Sequence, residues 1–401
     1  MKRRLLPVLL AMSIAGLTTA THAALSERTW QRLGEIHALI QEQQFPEAVA
    51  ALDELSERTR GNPHEQALVL EARATLEERR DEPEAALALI DEALALSGVP
   101  TEARLQLRYT QARLLLAAGR ATAALAVMDD WFEEVREPAP RAVMLRAAVY
   151  AELGREQEAI AAARDAIERS RQPRAGWYGF LVGLLLTQED YAGAAPLLER
   201  MVAHWPLEAR YWEQLAAVRM YVDDQAGALA ALRLAHAHGL LEREATIVRL
   251  VRLAVAEGLP EPGGRLLEAA LDKEMVARSG DHLELLGNAW LQAREWDRAT
   301  SALERAAELA EDGELYVQVA RIALERQDAR AAVDMLSRAL ERGVEDPAGV
   351  RLLQGMAWLE MDALDEAVTA FRRAQEDEDV APRAGQWLRY VEAVRENSGT
   401  P

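Results

Sequence analysis

Small and large apolar residues follow a helical rhythm in this chain that restarts every 33 to 38 residues. A small residue marks each restart: Ala48, Ala86, Ala124, Ala159, Ala194, Ala228, Gly263, Ala299, Ala332 and Ala367. Four residues later comes a large apolar side chain (Leu52, Ile90, Met128, Leu198, Leu232, Leu267, Leu303, Leu336, Phe371), with Ala163 the one small exception. Three further on, Ala93, Ala166, Ala235, Ala270, Ala306, Ala339 and Ala374 are small again. Steps of four and three place all of these on one helix face. The small residue lets a second helix approach closely and the large one fills the gap beside it. Each period is therefore expected to be a helix hairpin that buries its face only against its neighbours.

The partner helix shows its own register twelve residues earlier. Small positions recur at Ala74, Ala112, Ala147, Ala216, Gly287, Ala320 and Gly355, with Ile36, Val182 and Val251 as larger variants. Bulky residues often follow three places on, at Leu39, Leu115, Tyr150, Leu185, Trp290 and Trp358. With both halves in view, the chain resembles the tetratricopeptide repeat family, whose pattern runs W-x2-L-G-x2-Y, then A-x3-F-x2-A, then P. The clearest stretches are Trp212-x2-Leu215-Ala216 with Ala228, Leu232 and Ala235; Leu286-Gly287-x2-Trp290 with Ala299, Leu303 and Ala306; and Gly355-x2-Trp358 with Ala367, Phe371 and Ala374. The resemblance implies an all-α fold, an α-solenoid with a right-handed superhelix of about ten hairpins over residues 24–379.

Three departures from the period carry their own expectations. The second and third restarts come after 38 residues each, which predicts longer helices or loops near the N-terminus. Leu259-Pro260-Glu261-Pro262-Gly263-Gly264 falls where the seventh hairpin turns, and paired glycines cost a helix about 1 kcal/mol each against alanine. Residues 258–264 are thus expected to form a hinge or kink, and alanine at Gly263 and Gly264 to raise stability if neither uses a positive φ. Residues 380–396 carry Trp387, Val391 and Val394 without a partner helix and are read as a C-terminal capping helix. Residues 397–401 are expected to be a disordered tail.

The N-terminus has a different pattern. Lys2, Arg3 and Arg4 precede an apolar run from Leu5 to Leu17 and a small-x-small site at Thr21-His22-Ala23, the three regions of a secretory signal peptide over residues 1–23. An apolar run this short does not comfortably span a bilayer core of about 30 Å. The expectation is cleavage after Ala23 and a periplasmic location in a Gram-negative bacterium. The absence of cysteine excludes a thiol lipid anchor, disulfides, thiolate metal sites and covalent haem. Loss of the three leader cations moves the net charge from −20 to −23, which repels nucleic acid and anionic lipid.

No catalytic or metal constellation stands out. His64-Glu65 lacks the second histidine of a zincin helix and reads as a helix start. His236 and His238, two residues apart, lie on different helix faces just before Gly239. Nucleophile-elbow and phosphate-loop motifs are absent. The chain is therefore read as neither an enzyme nor a cofactor protein, with no metal site.

Eight of the 21 aromatic residues lie between Trp177 and Tyr221. Tyr178 and Trp212 fall on motif positions that pack between helices. The family resemblance places Tyr221 on the first-helix face that lines the concave groove, together with Arg210, Glu213 and Met220. On the same reasoning Arg113, Met144, Arg252, Glu284, Asn288, Gln292 and Arg321 join this partner-binding surface, whose aromatic, Met and Arg members are typical of binding hot spots. A lysine-and-asparagine clamp for a peptide carboxylate is not expected, since this face has no lysine and Asn288 is isolated.

Short segments suggest a narrower likeness. Ala24-Leu25-Ser26-Glu27-Arg28-Thr29-Trp30, Asn288-Ala289-Trp290-Leu291-Gln292-Ala293-Arg294-Glu295 and Gln386-Trp387-Leu388-Arg389-Tyr390-Val391-Glu392 are similar to segments of the periplasmic tetratricopeptide repeat proteins that accompany TonB, ExbB and ExbD energy-transduction systems. That likeness implies a non-catalytic scaffold for periplasmic parts of TonB, ExbB or ExbD in nutrient or siderophore uptake. The alternative is a general envelope assembly factor or holdase.

Overall fold

The computed structural model describes residues 26–398, and among these every regular element is an α-helix. The expected leader, residues 1–23, and the last residues of the expected tail lie outside the described residues. The described chain divides into two compact units, at Met201 and Val202.

The first unit holds five hairpins. They are α1 Glu27–Gln41 with α2 Phe45–Arg58, α3 Pro63–Arg79 with α4 Pro83–Ala95, α5 Thr101–Ala117 with α6 Ala121–Glu134, α7 Pro140–Glu152 with α8 Glu156–Arg169, and α9 Ala175–Thr187 with α10 Tyr191–His204, whose last residues fall past the division. The second unit holds another five and a closing helix. These are α11 Ala209–Tyr221 with α12 Gln225–Ala237, α13 Glu244–Ala256 with α14 Pro260–Asp272, α15 Gly280–Gln292 with α16 Trp296–Leu309, α17 Glu314–Glu325 with α18 Ala329–Arg342, α19 Pro347–Glu360 with α20 Leu364–Ala374, and finally α21 Ala381–Ser398. Within each unit packing follows chain order, and α1 also meets α3, α5 meets α7 and α13 meets α15. First helices thus form one layer and second helices the other, as in a solenoid.

The small-large register is the core. All nine restart alanines are fully buried, as are the large residues four places later, from Leu52 to Phe371. The small first-helix positions Ala112, Ala147, Ala216 and Ala320 are equally closed to solvent. The two long N-terminal periods are helix rather than loop: α3 and α5 each have 17 residues, against 13 in α7, α9, α11, α13 and α15.

A second register emerges only from the backbone. Five residues before each restart the chain adopts a left-handed φ between 56° and 74°, once in every hairpin turn. Gly119, Gly154 and Gly258 do so freely, while Gln43, Asp81, Glu189, Asp223, Arg294, Gln327 and Asp362 hold it as non-glycine residues.

The expected hinge at 258–264 is a regular hairpin. Gly258, at φ +74°, closes the turn, and Pro260 opens α14, a position where a proline lacks nothing. Gly263 and Gly264 are helical and buried. A Cβ on Gly263 would lie 3.3 Å from Val255, and one on Gly264 would lie 3.0 Å from the buried Trp290 ring. The pair is glycine because helices α13 and α15 pass close by, so alanine at Gly264 lowers stability instead of raising it.

The closing helix behaves as a cap. Trp387 of α21 stacks on Phe371 of α20 with ring centres 5.9 Å apart and planes 8° from parallel, and Ala384 and Val391 are fully buried. Val394 and Leu388 are half-buried and Tyr390 is exposed.

Candidate peptide-binding groove

In the second unit, α13 and α15 face each other across a groove of about 620 Å³. Arg252, Val255 and Ala256 line it from α13. From α15 come Asp281, Glu284, Leu285, Asn288 and Gln292. Steps of three and four keep the α15 residues on one face while Leu283, Leu286, Gly287 and Trp290 are buried on the other.

Local contacts fix the two walls. The Glu244 carboxylate, in the first turn of α13, accepts from the Ala277 N–H at 3.0 Å and so ties that helix to the loop before α15. The Ser279 hydroxyl caps α15 by accepting from the His282 N–H at 3.3 Å. Gln318 of α17 donates from Nε2 to Asn288 Oδ1 at 3.0 Å, which fixes the Asn288 amide and leaves its amino group for a ligand. Arg252, Glu284 and Gln292, and Arg321 one helical turn beyond Gln318, make no hydrogen bond or ion pair with any described residue. The arrangement offers both charges, two amides and an apolar strip, the inventory of a surface that reads a peptide.

Four of the residues expected at the partner surface therefore share one groove: Arg252, Glu284, Asn288 and Gln292. The others do not join it. Met144 is 1% exposed, a core residue of α7 and not a groove residue, because its helix turns that face into the packing with its neighbours. Arg113 is half-buried and committed to a bidentate pair with Glu78, one arm at 2.8 Å. Glu213 accepts from Arg243 and from Thr246 Oγ1, the latter at 2.9 Å. Arg210 lies over its neighbour Tyr211, 4.7 Å from the ring centre, and donates to the Tyr211 hydroxyl at 2.8 Å. Met220 and Tyr221 are exposed at the end of α11, Tyr221 by 68%. Tyr178, Tyr211 and Trp212 are buried, as packing residues should be.

Val255, Ala256, Asp281, Leu285 and Gln318 were missed by the motif comparison. The signal for two of them was present: Asp281 and Leu285 stand three before and one after Glu284, on the stripe that Glu284, Asn288 and Gln292 already define. Gln318 has no such mark, since its role depends on the spacing of α15 and α17.

The inner layer of the first unit is closed on itself by comparison. Besides the Arg113 pair, Thr110 Oγ1 donates to Glu71 at 3.1 Å, and Arg141 lies 5.6 Å from the Tyr109 ring centre. Burial pushes the Glu71 carboxyl above the usual range, against the opposing hydrogen bonds from Thr110 and Gln106 and the Arg113 charge. Burial also pushes the His37 imidazole down. A raised carboxyl means that the folded state holds its proton more tightly than the unfolded chain, so this group's contribution is present at low pH and lost as pH rises through the raised value. Glu71→Gln keeps the acceptor for Thr110. It should raise stability at pH 7 and leave it nearly unchanged near pH 4, as read by urea midpoints at the two pH values.

The family model for the tetratricopeptide repeat matches residues 109–174 and 319–382, which fall in both units. No curated protein matches the chain. Among solved structures, the chain is similar to MamA at 20% identity, over 43% of this chain and 92% of that one, with a TM-score of 0.36. It is also similar to a tetratricopeptide repeat protein from Parabacteroides merdae at 16% identity, covering 66% of this chain and 99% of that one, with a TM-score of 0.40. YrrB, described as a TPR protein with an unusual peptide-binding site, is 16% identical over 46% of this chain and 93% of its own, with a TM-score of 0.36. The two matched segments are tetratricopeptide repeats, and the small-large register they share continues through all ten hairpins.

Proposed function

We propose that this protein is a non-catalytic scaffold whose second unit captures a peptide segment of a partner protein in the α13/α15 groove. The observation that carries the reading is a contrast in pairing. The inner-layer side chains Arg113, Glu71 and Glu213 are satisfied within the chain, whereas Arg252 and Glu284, which line the groove, have no partner among the described residues. Charged groups held without partners along an apolar strip are arranged for something that comes from outside.

The leader pattern over residues 1–23 supports export, and the likeness of three short segments to companions of TonB systems supports an accessory role beside TonB, ExbB or ExbD in nutrient uptake. Affinity purification of the tagged full chain from solubilised envelopes tests this. A TonB-system component should co-isolate at fixed stoichiometry, and N-terminal sequencing of the product should begin at Ala24. Retention of residues 1–23 would contradict export by cleavage. Repeated purification without any such component would contradict the TonB role.

A further inference from the structure

Three repeats place a glutamate at the same register, three residues before the small first-helix position: Glu71, Glu213 and Glu284. Neighbouring repeats fill that register with buried apolar side chains, Val248, Val317 and Leu352. A carboxylate there loses hydration and needs compensation. The chain supplies it twice from the following repeat. Thr110 Oγ1 donates to Glu71 at 3.1 Å, and Arg243 with Thr246 donates to Glu213, Thr246 at 2.9 Å. Glu284 is also half-buried but receives nothing from any described residue. The one cation lining its groove, Arg252, stands on the opposite wall and forms no ion pair with it within 4.0 Å.

We propose that the α13/α15 groove takes a peptide segment that presents a lysine or arginine, whose charged end meets Glu284 and Asp281 in the place that Arg243 takes against Glu213. This rests on the reading that the groove is the binding site and adds the chemistry of the occupant. The groove carries two carboxylates against one guanidinium, and the whole chain carries a net charge of −20, so both the local and the global field favour a basic segment. Leu285, Val255 and Ala256 provide an apolar strip for the aliphatic stem of such a side chain. Asn288, held by Gln318, keeps its amino group as a donor for the peptide main chain.

The test is a random peptide library displayed on phage and selected against the immobilised full chain, with bound clones recounted on three variants. Ala256→Trp plugs the groove from an exposed position of α13, and Glu284→Gln and Asp281→Asn remove its carboxylates without changing shape. Selected clones should be enriched in Lys or Arg next to an apolar residue. A peptide synthesised from them should bind about tenfold more weakly to Glu284→Gln, with a shallower salt dependence. Clones that depend on the open groove but are neutral or acidic, or that bind Glu284→Gln unchanged, would overturn the proposal and leave the groove reading intact. If no clone is selected, or if the clones ignore the Ala256→Trp plug, the groove reading itself fails.

Discussion

Gly313→Ala should lower the stability of the second unit by about 3 kcal/mol, the upper part of the range for forcing an extra methyl into a closed core. Gly313 caps the start of α17, and its N–H donates to the Gly343 carbonyl at 2.7 Å. A Cβ there would overlap the Ala339 carbonyl oxygen and lie 2.8 Å from the Ala339 Cα, atoms of the α18 backbone that cannot swing aside as a side chain can. The methyl must push one hairpin strand of helix off the other. Gly34→Ala provides the opposite case. It sits inside α1 with nothing within 4 Å of its would-be Cβ, so alanine should add about 1 kcal/mol from helix propensity alone. Urea midpoints for the two variants should move in opposite directions. An unchanged midpoint for Gly313→Ala would mean that the α17 and α18 termini are free to separate.

The second large effect is on binding. Ala256→Trp combined with Leu285→Arg fills the α13/α15 groove and replaces its apolar floor, and should weaken capture of the partner by at least about a hundredfold, as expected when a binding centre is lost. Both positions look outward from helices whose buried faces stay intact, so circular dichroism should not change. Replacing Arg210 and Tyr221 by alanine should change affinity by less than about threefold. Arg210 is occupied with Tyr211, and Tyr221 does not line the groove. Titration of a labelled partner peptide against each purified variant reads both effects. A strong loss from the Arg210 and Tyr221 pair with none from the groove pair would move the site to the end of α11.

The difference between those two variants marks where sequence reasoning stops. The hairpins, their number and the closing helix were legible because they depend on burial, and burial follows from spacing: Ala48 to Ala367 repeat a pattern that only stacked helices satisfy. The glycine pair at 263 and 264 was misread because its reason lies on another helix. Propensity along the chain says that glycine weakens α14, whereas Val255 of α13 crowds the space that a Cβ on Gly263 would need and Trp290 of α15, 26 residues away, crowds that of Gly264. The left-handed turn residues were invisible for a different cause, since Gln43, Arg294 and Gln327 have no composition that advertises a positive φ.

The groove was half legible. A family register can say which face of a first helix points inward, and it placed Arg252, Glu284, Asn288 and Gln292 together. It cannot say which inward side chains are already spent. Arg113 and Glu213 have the residue types of a binding surface, yet Glu78 and Arg243 neutralise them across the boundary between repeats. Met144 fails more simply, because at its repeat the inner face is closed by packing. Pairing between repeats, not residue type, separates a structural charge from an available one.

Site-specific photo-crosslinking in cells, with a photoreactive amino acid placed in turn at residues 285, 292, 221 and 234, decides whether the α13/α15 groove is where the partner binds. Leu285 and Gln292 line the groove, whereas Tyr221 and Leu234 are exposed outside it. One and the same crosslinked partner is expected from positions 285 and 292, lost when Ala256→Trp is added, and none from 221 or 234. A partner captured from 221 or 234 but not from the groove positions would contradict binding in the groove.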